Sequence, residues 1–204
     1  MYKIGITGSI GTGKTTIAKI FALFKIPIFD ADQEIKQILT KKEIIQKLKN
    51  IWPLVVKKNY VDKLKLRTII FSNNLEKKKL EKLLYPYLNI ELKKFENINY
   101  KENILIYDMP LIYETKSEKK YDLIILAYCN IKLQRVRVLS RDKISNSLFE
   151  KIVASQLSFK EKIKFKPQVI NTRYKFFILI KVCLLLISTI IKLRTKDEKK
   201  KINT

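Results

Sequence analysis

Residues 8–15 read G-S-I-G-T-G-K-T and fit the pattern G-x-x-x-x-G-K-[ST] in full. Its glycines can adopt backbone angles that strain other residues, so successive amide groups can turn toward one anion. Lys14 can reach the β- and γ-phosphates of a nucleotide, and the Thr15 hydroxyl can bind the Mg²⁺ that bridges them. The pattern therefore predicts a site for ATP and Mg²⁺. Its expected contact residues are Gly8, Gly11, Thr12, Gly13, Lys14, Thr15 and Thr16.

Carboxylates follow two predicted strands at points where they could take part in phosphoryl transfer. Asp30 and Asp32 come just after the second strand, and the carboxyl ends of parallel strands line the ligand crevice. Asp32 is the candidate that orients an acceptor hydroxyl and takes its proton. Asp30 could instead simply cap the following helix. Asp108 ends the third strand, where it could hold Mg²⁺ directly or through water, or serve only as a turn residue.

Arginine is scarce in this chain, and half of it lies in one short segment. Arg135, Arg137 and Arg141 fall within seven residues, and the last two are four apart, so they share a helix face. A planar guanidinium neutralises the charge of a transferring phosphoryl group better than an ammonium does. We therefore predict that Arg137 and Arg141 are catalytic and belong to a lid. A solvated basic helix face is the alternative.

Apolar periodicity alternates between strands and helices along the chain. The expected strands are Tyr2–Thr7, 26–29, 103–108, 122–129 and 168–170. The expected helices are 14–24, 31–39, 133–141 and 149–165, with a mostly helical stretch over 43–96 that is broken near Pro53 and Pro86. Such alternation predicts a five-stranded parallel sheet with right-handed crossovers, covered by helices in a three-layer α/β fold.

The composition excludes several classes of function. The chain has 43 basic and 19 acidic residues and a formal charge of +24, but no histidine. Ser-His and Cys-His catalysis and His-ligated metals are therefore excluded, and two cysteines are too few for a zinc cluster. Lysines are spread along the chain and arginine is scarce, so no specific nucleic-acid partner is expected. The chain opens directly into a strand without a secretory signal, which predicts a cytoplasmic protein.

An apolar run over 176–191 could be a buried helix or a membrane-associated segment. The run is shorter than the roughly 20 residues that span a bilayer, and Lys181 interrupts it. A buried terminal helix is the favoured interpretation, and no stable membrane insertion is expected. A membrane-surface anchor stays open, because basic residues follow the run.

These residues together resemble the dephospho-CoA kinase family, from Tyr2 to about Asn171. The resemblance rests on the loop sequence, D-A-D at 30–32, L-E-K-L-L-Y-P at 80–86, M-P-L-I-Y-E at 109–114, V-I-N at 169–171, and the single residues Arg67, Phe71, Gln134, Arg137, Arg141 and Gln156. The loop is common to many families, whereas D-A-D combined with P-L-x-x-E is much more specific. The chain departs from the family pattern at Tyr85, where His is frequent, and at residues 165–171, where an aspartate is lost.

The resemblance implies a P-loop kinase of the nucleoside monophosphate kinase-like group. It implies one domain over 1–204, with a helical acceptor-binding region at about 43–98 and a lid at about 131–165. It also implies that ATP phosphorylates the ribose 3′-hydroxyl of dephospho-CoA, the last step of coenzyme A synthesis, with Asp32 on the acceptor side. We expect a monomer. Another nucleoside, nucleotide or small-molecule kinase is the first alternative, and a basic polyanion-binding protein with a vestigial nucleotide site is the second.

Overall fold

The computed structural model describes residues 1–202, in which strands and helices alternate as the periodicity predicts. The strands are β1 Tyr2–Thr7, β2 Ile28–Asp30, β3 Val56–Lys57, β4 Tyr60–Val61, β5 Ile104–Asp108, β6 Leu123–Tyr128 and β7 Gln168–Asn171. The helices are α1 Lys14–Leu23, α2 Ala31–Ile38, α3 Lys42–Ile51, α4 Lys63–Ser72, α5 Asn74–Ile98, α6 Ile131–Asp142, α7 Asn146–Ala154, α8 Phe159–Lys162 and α9 Lys175–Ile202. Short 3-10 helices occupy Pro53–Val55, Glu118–Lys120 and Ile163–Phe165.

The central sheet has the strand order β2-β5-β1-β6-β7, and every neighbouring pair is parallel. The predicted five-stranded parallel sheet is confirmed. β1 lies between β5 and β6. The chain leaves β1 toward β2 on one side and later crosses from β5 to β6 on the other side, so the carboxyl end of β1 opens at a topological switch point. The glycine-rich loop begins there. Asp30 of β2 lies in register with Asp108 of β5, so both carboxylates reach the same edge of the sheet.

Alternate residues of the strands supply two separate hydrophobic cores, as the two-residue period of a strand requires. Ile4, Ile6 and Ile106 face the layer that contains α1 and α9. Leu105 and Tyr107 face the opposite layer, which contains α2 to α5. The sheet is thus covered on both faces, and the predicted three-layer arrangement is confirmed.

The expected break near Pro86 is wrong, because α5 runs through Pro86 without interruption. Leu80, Leu84 and Leu88 bury one stripe of α5 in the same core on both sides of the proline. That continuous packing offsets the hydrogen bond that a proline removes. Pro53 does interrupt the helical region, and it is followed by the small antiparallel hairpin β3–β4, which the sequence pattern did not predict.

The single helix predicted over 149–165 is also wrong, because α7 ends at Ala154 and α8 begins only at Phe159. A capping box at Ser158 starts the new helix. The Ser158 hydroxyl accepts from the Glu161 amide at 3.3 Å, while the Glu161 carboxylate accepts from the Ser158 amide at 2.7 Å. These two bonds satisfy amides that a continuous helix would have satisfied internally.

The apolar run near the C-terminus forms α9, but the expectation that this helix is buried is wrong. Only 22% of an 18-residue segment within Lys175–Thr195 is buried, and the stretch Lys175–Thr195 is long and apolar enough to cross a membrane by length and composition alone. One stripe packs on the sheet layer through Ile178, Val182 and Leu186. The other faces of the helix leave large apolar side chains exposed.

Candidate active site

The loop after β1 is closely packed, and its glycines are required by both conformation and space. Gly8, Gly11 and Gly13 have φ of 148°, 75° and 89°. A Cβ on Gly8 would lie 2.6 Å from the Ala127 carbonyl oxygen. The Thr12 hydroxyl donates to the Ser9 carbonyl at 2.7 Å and holds the turn. Gly13 is the N-cap of α1 and carries no side chain, so the positive end of the helix is open to an anion.

Lys14 lies half-buried at the start of α1, as its motif predicts. Its ammonium group donates to the carbonyl oxygen of Gly8 at 3.0 Å and to that of Ser9 at 3.4 Å. Burial lowers the pKa of Lys14, and the nearby negative charges of Asp108 and Asp32 oppose that effect. The loop lysine and both predicted carboxylates therefore share one electrostatic environment.

Asp108 is buried, and its Oδ1 atom lacks a hydrogen-bond partner among the described residues. Burial raises the pKa of Asp108 to about 7, Lys14 opposes the rise, and Asp30 and Asp32 add to it. A buried carboxylate oxygen without a partner is a group that a cation could satisfy. The plain turn role that we considered for Asp108 does not explain this burial.

The donor set fits Mg²⁺ held jointly with a nucleotide. Within residues 1–202 no group of three or more His, Cys, Asp or Glu side chains could hold a metal alone. Mg²⁺ usually takes one or two protein ligands and completes its shell with phosphate oxygens and water. Thr15, exposed in the first turn of α1, and Asp108 are the residues that would hold it.

The two aspartates at the end of β2 and the start of α2 differ in their contacts. Asp30 caps α2, because its Oδ1 accepts from the Gln33 amide at 2.9 Å. Asp32 is exposed in the first turn of the same helix, and the cap does not use it. Its charge acts on both Lys14 and Arg141. The structure thus leaves Asp32 available for an acceptor and gives Asp30 the capping role.

Arg137 holds three parts of the site together. Its Nη1 donates to the Gly11 carbonyl at 3.4 Å and to the Thr172 hydroxyl at 3.1 Å, while Nη2 donates to the Thr172 carbonyl at 2.8 Å. The Thr172 hydroxyl in turn donates to the Thr12 carbonyl at 2.5 Å. Arg137 therefore joins α6 to the loop and to the segment after β7.

The other two arginines of α6 are separated from each other. Arg141 makes a two-pronged contact with Asp142, at 2.7 and 3.0 Å, and its pKa is raised first by that contact and also by Asp32. Arg135 lies on the outside and pairs with Glu150 at 3.1 Å. Arg141 therefore belongs to the site region, and Arg135 does not.

Sequence reasoning did not find a buried ion pair beside the loop. Lys162 is 1% exposed and its ammonium lies 2.9 Å from Glu114 Oε1, which also accepts from the Leu157 amide at 3.0 Å. The positive charge of Lys162 contributes to lowering the pKa of Lys14. Glu114 belongs to the quoted P-L-x-x-E motif, but nothing in a lysine-rich sequence distinguishes Lys162 from its neighbours.

Comparison with known proteins identifies the family of this chain. The family model for dephospho-CoA kinase matches residues 2–175. The chain belongs to the dephospho-CoA kinase family. The sequence resemblance is thereby confirmed over most of the chain, up to the start of α9.

Dephospho-CoA kinases of several bacteria are similar to this chain over most of their length. One from Fusobacterium nucleatum is 33% identical over 170 residues, which cover 82% of this chain and 88% of the relative. One from Gamma-proteobacterium EBAC31A08 is 36% identical over 172 residues, covering 82% and 86%.

Solved structures show the same fold. A dephospho-CoA kinase from Campylobacter jejuni has a TM-score of 0.63 at 26% identity and covers 94% of this chain and 98% of its own. TT1252 from Thermus thermophilus has a TM-score of 0.79 at 23% identity and covers 92% and 97%. A shikimate kinase from Acinetobacter baumannii, with a TM-score of 0.51 at 16% identity, covers 93% and 94% and shares the fold alone. The predicted P-loop kinase fold is confirmed.

Proposed function

We infer that this protein is a dephospho-CoA kinase, which transfers the γ-phosphate of ATP to the ribose 3′-hydroxyl of dephospho-CoA and releases CoA and ADP. The observation that carries the inference is the family match over residues 2–175. The D-A-D triplet and the phosphate loop lie at one edge of the sheet and support it. The reaction is the last step of coenzyme A synthesis.

On the nucleotide side, the loop and α1 bind the phosphates of ATP. The positive φ values of Gly8, Gly11 and Gly13 shape the turn whose amides face the anion. Lys14 exchanges its bonds to loop carbonyls for the β- and γ-phosphates. Mg²⁺, held by Thr15 and Asp108 with the phosphates, would supply charge neutralisation to the transferring group.

On the acceptor side, Asp32 orients the ribose hydroxyl and takes its proton. Asp32 is exposed, it needs no part in capping α2, and its negative charge reaches Lys14. A carboxylate in this position removes the proton as the oxygen forms its bond to phosphorus. The helical region at about 43–98 would hold the rest of the acceptor.

The lid arginines have separate tasks in this scheme. The charge of Arg141 interacts with Asp32. Once the Arg141 guanidinium releases Asp142, it neutralises the transferring phosphoryl group. Arg137 holds α6 against the loop through Gly11 and Thr172, so its contribution here is positioning. The lid at about 131–165 would close as these contacts form.

The remaining properties are also proposals. The protein acts as a monomer in the cytoplasm, and its excess of lysine does not serve specific nucleic-acid binding. The alternative function is polyanion binding, with the nucleotide site only a vestige. It would give salt-dependent binding to polyanions without phosphoryl transfer.

The test is a coupled ADP-release assay with Mg²⁺-ATP and one acceptor at a time. The acceptors are dephospho-CoA, adenosine, AMP and shikimate. Of the four acceptors, we expect only dephospho-CoA to give turnover. Mass and NMR spectra of the product should show that its 3′-hydroxyl has been phosphorylated. Turnover that is faster with another acceptor would replace the proposed substrate, and ATP binding without any turnover would favour the polyanion-binding alternative.

Asp32→Asn tests the acceptor carboxylate. We expect kcat to fall at least about 100-fold, the lower end of the roughly 10²–10⁴-fold contribution that a general base makes, while the Kd for ATP changes little. Glu102→Gln is the matched control, because Glu102 is an exposed carboxylate in the loop before β5. Full kcat in Asp32→Asn would remove this residue from the mechanism without affecting the assigned substrate.

A further inference from the structure

The outward side of α9 is a continuous apolar stripe. Its members are spaced three or four residues apart, which places them on one face of the helix. They are all exposed, Leu184 by 60%. The members are Phe176, Ile180, Leu184, Ile187 and Ile191. Over these 16 residues the stripe is about 24 Å long, at 1.5 Å per residue. Exposed apolar surface of this continuity marks an interaction site.

The inward side of α9 is a second stripe, displaced by two residues. Ile178, Val182, Leu186 and Thr189 are buried. The three aliphatic side chains belong to the core that also contains Ile17 and other residues of the sheet layer. Removing α9 from the domain would expose that core. The helix therefore stays on the domain and offers only its outward stripe to a partner.

The charge around the stripe identifies the chemistry of that partner. The sequence from 171 to 195 has five cations and no Asp or Glu. The cations are Arg173, Lys175, Lys181, Lys192 and Arg194, and all five are exposed. Against a second copy of this chain these charges would repel one another. Against a surface with negative groups around an apolar interior they are complementary.

Aromatic side chains lie at the start of α9, in its first turn and at the residue before it. Tyr174, Phe176 and Phe177 are exposed, and neighbouring rings lie about edge to face with centroids 5.9 to 6.1 Å apart. The Arg173 guanidinium lies 5.0 Å from the centre of the Tyr174 ring. Aromatic rings beside cations are typical of segments at the headgroup level of a bilayer.

We propose that α9 binds the surface of an anionic phospholipid bilayer with its outward stripe in the acyl boundary and its cations at the headgroups. The face of the sheet that carries α2 to α5 is opposite to α9. The membrane-bound protein thus keeps its acceptor-binding helices away from the lipid, and turnover continues on the membrane.

The test is co-sedimentation of the full chain with vesicles of phosphatidylglycerol and phosphatidylcholine, against vesicles of phosphatidylcholine alone. We expect binding only to the first, and release by high salt, because the headgroup attraction is screened. Ile180→Gln/Leu184→Gln/Ile187→Gln should weaken this binding at least about tenfold, since each change withdraws buried methylene groups from the lipid. Lys175→Glu/Lys181→Glu should weaken it to a similar extent.

Ile98→Gln/Tyr100→Gln is the matched control, because it removes exposed apolar side chains far from α9 in the sequence and should not change binding. Each variant is first checked for an unchanged thermal unfolding midpoint. Unchanged vesicle binding in the triple variant would overturn the proposal in favour of plain charge attraction. Three other results would also overturn the proposal. They are absence of vesicle binding, resistance to alkaline extraction, which indicates a spanning helix, and a dimer in light scattering that the triple variant abolishes. None of these readouts requires turnover, so they are independent of the acceptor assigned above.

Discussion

Two kinds of left-handed turn occur in this protein, and they are occupied by different residues. In the phosphate loop all three residues with positive φ are glycine. Elsewhere in residues 1–202, five turns with φ between 47° and 57° are occupied by lysine. These are Lys25, Lys58, Lys116, Lys143 and Lys166. The lysines keep to the left-handed helical region, whereas the glycines have larger φ values, up to 148° at Gly8, which only glycine adopts readily.

Space excludes a side chain at these glycines in addition to conformation. A Cβ on Gly8 would lie 2.6 Å from Ala127 O, and one on Gly11 would lie 2.8 Å from Gln134 O. Both contacts are with backbone atoms, which cannot move away as a flexible side chain would. A left-handed lysine on the surface costs only about 1–2 kcal/mol. The chain thus keeps glycine where neighbouring backbone excludes a side chain.

The largest expected effect follows from Gly8→Ala. The added methyl group would collide with the Ala127 carbonyl and open the loop, so kcat/KM should fall at least about 100-fold, which corresponds to about 2.7 kcal/mol. Steady-state kinetics with ATP as the varied substrate measures this loss. Lys25→Ala, which keeps a Cβ at a peripheral left-handed turn, should leave kcat/KM unchanged. Similar losses in both variants would break the contrast.

The second effect concerns the buried carboxylate of the site. Asp108 has a pKa raised to about 7 by burial, so the folded protein binds this proton more tightly than the unfolded chain does. Its contribution to stability is present below about pH 4 and is lost as the pH rises to about 7. Without Mg²⁺ or nucleotide, the parent protein should lose stability as the pH rises from 5 to 8, and Asp108→Asn should not. The free energy of unfolding of Asp108→Asn, relative to that of the parent, should therefore increase by about 2 kcal/mol between these pH values.

Urea unfolding at the two pH values measures that gain for Asp108→Asn. Glu102→Gln, which replaces an exposed carboxylate, is the control and should change equally at both pH values. A difference of the opposite sign for Asp108→Asn would mean that its carboxylate is stabilised in the fold.

The third effect concerns the contact between α6 and the phosphate loop. Arg137→Lys keeps the charge but cannot donate to Gly11 and to both oxygens of Thr172 with one planar group. We expect kcat to fall about tenfold, equivalent to about 1.4 kcal/mol. Arg135→Lys on the outer face of the same helix should not change kcat. Equal rates in both variants would show that the bonds of Arg137 do not position the site.

The smallest effect is at a peripheral turn. Lys25 follows α1 with φ 57°, and its amide donates to the Ala22 carbonyl at 2.9 Å. Lys25→Gly should raise the free energy of unfolding by about 0.5–1 kcal/mol, because glycine adopts this conformation without steric cost. Lys19→Gly inside α1 should lower it by about 1 kcal/mol. Urea denaturation separates the two signs, and a loss in both variants would contradict the assigned strain.

The positions of three site residues were predictable from the sequence, whereas the contacts that support the site were not. Lys14, Asp32 and Asp108 follow from a contiguous motif and from strand ends, both of which are local features. Lys162 and Thr172 are fixed by partners far away in sequence, at Glu114 and Thr12. The roles of all site residues stay predictions until variants are measured.

The sequence by itself determined the parallel sheet, the phosphate loop and the family, because each depends on short-range periodicity or on a motif of contiguous residues. Only the tertiary structure decided that Pro86 stays within a helix, that Arg137 bonds to the loop, and that α9 leaves an apolar stripe exposed. The reason is that each depends on what packs against the residue from a distant part of the chain. An apolar side chain in α9 has the same local pattern whether a core or the solvent lies beside it.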